Sequence, residues 1–404
     1  MEKTYQLYRY RWVVLGVFML INVTIQLTWA TFGGILKPAA DFYGVTDNKI
    51  GLLSMLFMII FVPLSLPVSW LIDKWGFRKA VGLGAVLMGV FALLRGVFGE
   101  SYSAVLLCTI GLAIAQPFML NSWTTVAAKW FPLQERATAV AAASIGSFIG
   151  TGIGFALTPM LMQQIGIPKT LLYYGIVTAI SAVLFVVFAR EEPPTPPSSR
   201  EQIGHALMLD GIKQMLKNPN FVLLMMAFFV GNGIFNGLST WLEGIVRPRG
   251  INPEQAGILG ALLIVGGVIG AASLPAWSDK TRRRKPFLVA ATLLAVPAFL
   301  GLIFFKNYGA LMAVFAVYGF FSVAISPIGF QYAAEITAPA PEGTSNGLLF
   351  LVGQVSVVFV YGMQALRSAE DGSFTLPLLI LAGFSVVMGL LLLKLKESTL
   401  LAKV

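Results

Sequence analysis

Twelve apolar runs, each long enough to cross a lipid bilayer, follow one another along this chain with only short polar breaks. They lie near residues 11–36, 51–72, 80–98, 104–126, 139–163, 170–190, 221–246, 255–278, 286–306, 309–334, 345–367 and 374–394. A hydrocarbon core of about 30 Å is crossed by about 20 residues of helix. Inside lipid a spanning segment must satisfy its own backbone amides, and a helix does so within one run. The predicted fold class is therefore an all-α membrane protein of twelve transmembrane helices. With 57% of its 404 residues hydrophobic and 11% charged, the chain leaves no stretch for a sizeable soluble catalytic domain, and no enzyme is expected. The first run is too long for the apolar core of a signal peptide and is read as the first span.

The formal charge of +10 would suit a nucleic acid, but its placement argues for topology. Twenty of the 28 lysines and arginines fall at the ends and in the alternate loops that share one side with the N-terminus. The positive-inside rule then predicts a multi-pass protein of the cell membrane, the inner membrane in a bacterium, with both termini cytoplasmic and no nucleic-acid partner. Cys108 is the single cysteine and sits inside an apolar run, so neither a disulfide framework nor a metal or cofactor site is expected. Residues 190–201, rich in Pro and Ser, separate six spans from six. The domain reading is a bundle over 1–190, a linker over 191–220 and a second bundle over 221–404. Within the linker, 203–217 reads as a short amphipathic surface helix carrying His205, the only histidine, taken as solvated surface.

The halves repeat each other. Leu66-Pro67 through Asp73-Lys74 is echoed by Leu274-Pro275 through Asp279-Lys280, with the aspartates 206 positions apart, and Glu135 finds a counterpart 207 positions on at Glu342. A constant offset implies two copies of a six-helix unit. Ser69-x-x-x-Asp73-Lys74-x-Gly76-x-Arg78-Lys79 resembles the loop signature of the major facilitator superfamily, with Ser69 in place of the usual first glycine. Trp130-Phe131-Pro132-x-x-Glu135-Arg136 resembles a second element of the same superfamily. The resemblance implies two pseudo-symmetric six-helix bundles that work by alternating access as a monomer. Asp73, Arg78, Glu135, Arg136 and Asp279 are then candidate gating residues, because an acid at a helix end can latch onto the positive N-terminal dipole of another helix.

Polar residues deep inside spans are the candidates for solute contact. Asn22, Gln26 and Trp29 share one face of the first span; Phe228, Asn232 and Asn236 line the seventh, with Trp29 and Asn236 again 207 apart. Gln116 and Gln354 join them from the fourth and eleventh spans. Each of these side chains has a plain alternative role as interhelical glue, which is the better reading for Ser144, Ser147 and Thr151. No titratable group sits clearly mid-span, with Glu243, Arg95 and Lys37 near predicted ends. Rings and amides without fixed charge suit a small neutral solute or an organic cation held over a ring face, carried as a uniporter. The rivals are a proton- or ion-coupled carrier for drugs or organic anions, and a receptor without transport.

Leu53 to Leu64 running into Trp70-Leu71-Ile72-Asp73, together with Ala115-Gln116-x-Phe118 and Gly233 to Thr240, resembles the feline leukaemia virus subgroup C receptor family of solute carriers. That family is linked to choline and ethanolamine transport, with haem export also proposed. The resemblance implies that Trp29 stacks on an ammonium group, with Gln116 and Gln354 lining the same pocket. A second ring expected on the seventh span falls at Asn236, leaving Phe228, Phe229 or Phe235 as substitutes.

Overall fold

The computed structural model describes residues 7–132, 135–195, 197, 209–337 and 342–397. His205 and the first half of the expected surface helix lie outside them. The helices are α1 Arg11–Ala30, α2 Leu36–Tyr43, α3 Asp47–Trp75, α4 Phe77–Val97, α5 Tyr102–Leu120, α6 Trp123–Trp130, α7 Arg136–Ile165, α8 Ile167–Phe188 and α9 Leu209–Leu216. There follow α10 Pro219–Thr240, α11 Leu242–Val246, α12 Pro253–Thr281, α13 Lys285–Phe304, α14 Tyr308–Thr337, α15 Glu342–Val355, α16 Val357–Ala365 and α17 Thr375–Leu392. Among the described residues twelve helical segments are long and apolar enough to span a bilayer, and none of these residues is in a strand.

Helix ends follow local chemistry. Asn252 starts α12 with a full capping box to Gln255, and Asn218 caps α10, whose Pro219 occupies the first turn, where its missing N–H costs nothing. The first span stops at Ala30 rather than at 36, because the chain turns through Gly33-Gly34 before the short α2 begins. Three spans are broken into two helices. The fourth breaks between Leu120 and Trp123 after Pro117, the seventh at Trp241, and the eleventh at Ser356.

The chain divides into two compact units. The first holds Met1–Trp29, Leu56–Gly154 and Leu161–Leu207; the second holds Ala30–Met55, Phe155–Met160 and Met208–Val404. In the first, Gly146 faces Met19 on α1, and Gly150 lies against the carbonyl of Val23 so closely that a Cβ would overlap it. Span-five glycines thus bring α7 onto α1, as small residues do in membrane helix pairs. In the second, Gly266, Gly270 and Gly319 bring α12 and α14 together backbone to backbone. Its core gathers Phe221, Leu224, Phe228, Leu288, Ile328, Tyr332, Leu349 and Leu392.

Candidate functional site

On α1 of the first unit, three residues at i, i+4 and i+7 meet different fates. Asn22 is fully buried. Its amide N–H donates to the Phe18 carbonyl at 2.8 Å, and its oxygen accepts from the Trp123 indole N–H at 2.8 Å. One turn further, Gln26 accepts at Oε1 from Gln116 Nε2 at 3.0 Å, so a side chain from α5 and one from α1 form an amide pair. Gln116 is 4% exposed, and its own Oε1 is buried without a donor. Leaving such an acceptor unmade costs roughly 1–3 kcal/mol, so the atom is poised to receive a hydrogen bond. Trp29 is buried at 5% exposed. The structure therefore joins Gln26 to Gln116 and sets Trp29 on the next turn of α1.

In the second unit Asn232 donates to the Phe228 carbonyl at 2.9 Å, bonding back along its own helix as Asn22 does. Its amide lies against Gly353, where a Cβ would stand 3.0 Å away. Gly353 precedes the half-buried Gln354 on α15. Asn236 is buried at 7% exposed. Phe228 corrects an expectation: its ring is 3% exposed, packed on Phe330 with centroids 5.1 Å apart and seated in the apolar core of this unit. In the continuous helix α10 Phe228 keeps the same side as Asn232, and Gly329 leaves room for its ring, which a Cβ there would meet at 2.4 Å. Phe229 instead meets Phe359 at 4.9 Å.

The turn charges also find partners. After α3, Gly76 adopts φ 82° and ψ 157° as the single residue linking α3 to α4. The Glu191 carboxylate accepts from the backbone N–H of Phe77 at 3.2 Å and of Arg78 at 2.7 Å, and pairs with Lys129. A carboxylate there satisfies orphan donors and the helix dipole together. Asp73 is exposed at the end of α3. Glu135 pairs with Arg11 at 3.1 Å, and Arg136 Nε donates to the Phe131 carbonyl at 3.4 Å. In the second unit Asp279 pairs with Arg284, which also reaches Glu335 at 3.0 Å, while Glu397 accepts from the N–H of Arg284 at 2.7 Å and of Lys285 at 3.3 Å. The side chain of Glu342 lies outside the described residues.

Sequence reading passed over two groups. Glu191 and Glu397 stand 206 positions apart, the offset of the repeat, which was the signal available for finding them. The other group lies in the second unit, where Asp47 accepts from Arg247 at 2.7 Å and Arg367 at 2.8 Å. Beside it, Glu243 is 2% exposed and accepts from the Lys37 backbone N–H at 3.0 Å. Arg247 Nη1 also reaches the Glu243 carboxylate at 3.5 Å. These residues are scattered in sequence, so no spacing announces them. Arg95, expected near a span end, lies in the last turn of α4 but is 1% exposed and donates to the Thr28 carbonyl at 3.2 Å.

Among known proteins, the family model described as Major Facilitator Superfamily matches residues 18–361 and again 243–403. The human choline/ethanolamine transporter FLVCR2 is 31% identical over 368 residues, covering 86% of this chain and 70% of that protein. Solute carrier family 49 member A3 of Xenopus tropicalis is 32% identical over 380 residues, covering 90% and 79%. A solved bacterial homologue of the human lysosomal transporter Spinster, inward-facing and unoccupied, superposes with a TM-score of 0.71 at 17% identity, covering 98% of this chain and all of that one. That likeness speaks for the fold; the sequence matches speak for the family. The chain belongs to the major facilitator superfamily and is a secondary membrane transporter of a small solute.

Proposed function

We propose that the solute is a choline-like amine, carried by alternating access as a uniporter. One observation carries the reading: the Gln26–Gln116 pair leaves the buried Oε1 of Gln116 open, and Gln26 stands one turn before the buried indole of Trp29 on α1. An acceptor oxygen beside a ring face suits a hydroxyl or an ammonium N–H together with a cation–π contact, worth about 2 kcal/mol when desolvated. The names of the relatives, choline/ethanolamine transporters, agree with that chemistry. Within the second unit Asn232, Asn236 and Gln354 are the candidate amides, and Phe228 sits in that unit's apolar core. Asp73, Arg78, Glu135, Arg136 and Asp279, joined by Glu191 and Glu397, are the turn charges that make and break during the cycle. The protein acts as a monomer of two six-span bundles in the cell membrane, with both termini in the cytoplasm and no catalytic role.

The experiment is counterflow of labelled choline into proteoliposomes. Uptake that is competed by ethanolamine, ignores an imposed pH gradient and is lost in Trp29→Ala supports the reading; uptake of a carboxylate indifferent to Trp29 overturns it. One observation favours the ion-coupled alternative, the carboxylate of Glu243 buried at 2% exposed. Uptake driven by a proton gradient and abolished in Glu243→Gln would select it.

A further inference from the structure

Three separate stretches of the second unit carry paired bases: Lys213 and Lys217 at the end of α9, Arg282 and Arg283 in the turn after α12, and Lys394 and Lys396 after α17. Hydrogen bonds draw these stretches together. The Lys396 N–H donates to Asn220 Oδ1 at 3.0 Å, at the start of the helix that follows α9, and the Lys396 carbonyl accepts from the Tyr332 hydroxyl at 2.6 Å. On the other side Glu397 accepts from the N–H of Arg284, the residue after Arg283, at 2.7 Å. Met215 of α9 and Leu395 beside Lys396 are each 2% exposed and share one apolar core. The six bases therefore line one rim of the unit.

The positive-inside rule accounts for bases at span ends, but not for how these are kept. All six are exposed, and none is in an ion pair among the described residues. The described acids beside them are already engaged, Asp279 and Glu335 by the side chain of Arg284 and Glu397 by two backbone N–H groups. Arg282 is held in the left-handed conformation at φ 52°, where glycine would sit without strain, yet its side chain pairs with no described residue. Strain kept at an exposed arginine points to a contact outside the chain. Apolar side chains stand exposed among the bases as well, Trp277 at 60%, Leu216 at 48% and Leu393 at 49%. An exposed indole at a span end marks the headgroup level of a bilayer, and Arg282 follows it by five residues, about 7 Å along a helix axis.

We infer that this rim is a docking surface for anionic phospholipid headgroups of the adjoining leaflet. The bases take the phosphate oxygens, while Trp277, Leu216 and Leu393 enter the interface beside them. A cluster of about four to eight lysines and arginines next to span ends draws anionic lipid by charge, and ammonium and guanidinium donors both bond phosphate. The surface belongs to one unit alone and holds whatever solute is carried.

The test titrates the purified full chain in detergent with phosphatidylglycerol and with phosphatidylcholine, and reads apparent affinity from the shift in Tm. The wild type is expected to prefer phosphatidylglycerol about tenfold, and to lose most of that preference between about 0.05 and about 0.5 M salt. Replacing all six bases by glutamine should bring the two lipids within about twofold of each other. Lys169→Gln combined with Lys306→Gln, which removes exposed bases elsewhere, should keep the wild-type preference. Arg282→Gly, which removes one base and relieves its backbone, should weaken phosphatidylglycerol about twofold without lowering the Tm of the lipid-free protein, and it decides the matter if the six-base variant does not fold. Equal affinity of the wild type for the two lipids overturns the inference, as does a six-base variant that keeps the preference or a Lys169 and Lys306 variant that loses it equally. Inorganic phosphate that stabilises as well as phosphatidylglycerol at the same concentration also overturns it, because the rim would then hold a free anion and not a lipid.

Discussion

The turn after α3 and the turn after α12 stand in the same place in the repeat, yet they are built differently. The first links its helices through Gly76 alone, at φ 82° and ψ 157°, a region closed to side-chain-bearing residues. The second uses three residues, and Arg282 opens it in the left-handed conformation at φ 52° and ψ 36°. Arg282 is the one residue other than glycine with positive φ among those described. Both turns then do the same job, for Glu191 and Glu397 cap the helix that follows through its first backbone N–H groups. A one-residue link leaves a single dihedral pair to reverse the chain, so glycine is obligatory; two extra residues spread the demand, and an arginine meets it at a cost of about 1 kcal/mol.

The comparison can be broken by substitution. Gly76→Ala is expected to lose about 3 kcal/mol, from a forbidden conformation and from a Cβ only 2.5 Å from the Glu191 carboxylate oxygen, which would be driven off its two donors. Thermal unfolding in detergent measures it, and a loss under 1 kcal/mol would show that the short turn is not constrained as argued. Glu191→Ala should cost about 1–2 kcal/mol, since two capped N–H groups and the Lys129 partner go together. Glu397→Ala, whose two N–H contacts share one oxygen, should cost less, about 1 kcal/mol. Equal losses would mean that the two carboxylates are equivalent despite the different turns. The smallest effect has the opposite sign: Arg282→Gly should stabilise by up to about 1 kcal/mol by relieving the left-handed strain. A destabilised Arg282→Gly would show that the arginine side chain contributes more than its backbone costs.

The same contrast explains what could be read early. Asp73 and Asp279 are visible because each lies beside a run of bases at a span end, and their spacing repeats. Glu191 escaped notice because it follows the sixth span, over a hundred residues from the N–H groups it caps, and nothing local marks it. Gln26 and Gln116 could each be picked out as an amide inside an apolar run, but that they bond to each other, and that one oxygen stays open, depends on how α1 and α5 are rotated. Phe228 looked like a cavity ring by register alone; the socket beside Gly329, a hundred residues away, drew it into the core. Asn22 is one of three residues on a polar face, and only its bonds to Phe18 and Trp123 set it apart from Gln26 and Trp29.

Segment length and apolarity determined the all-helical, twelve-span architecture, because lipid accepts no other way of satisfying the backbone in such runs. The fixed offset between matching signatures determined that the architecture is doubled. Which amides meet, which ring is swallowed by the core and which arginines gather at Asp47 were decided only in three dimensions. Those pairings join residues 90 to 320 positions apart, too far for any local pattern to encode, and they are set by helix rotation and close packing at glycine faces.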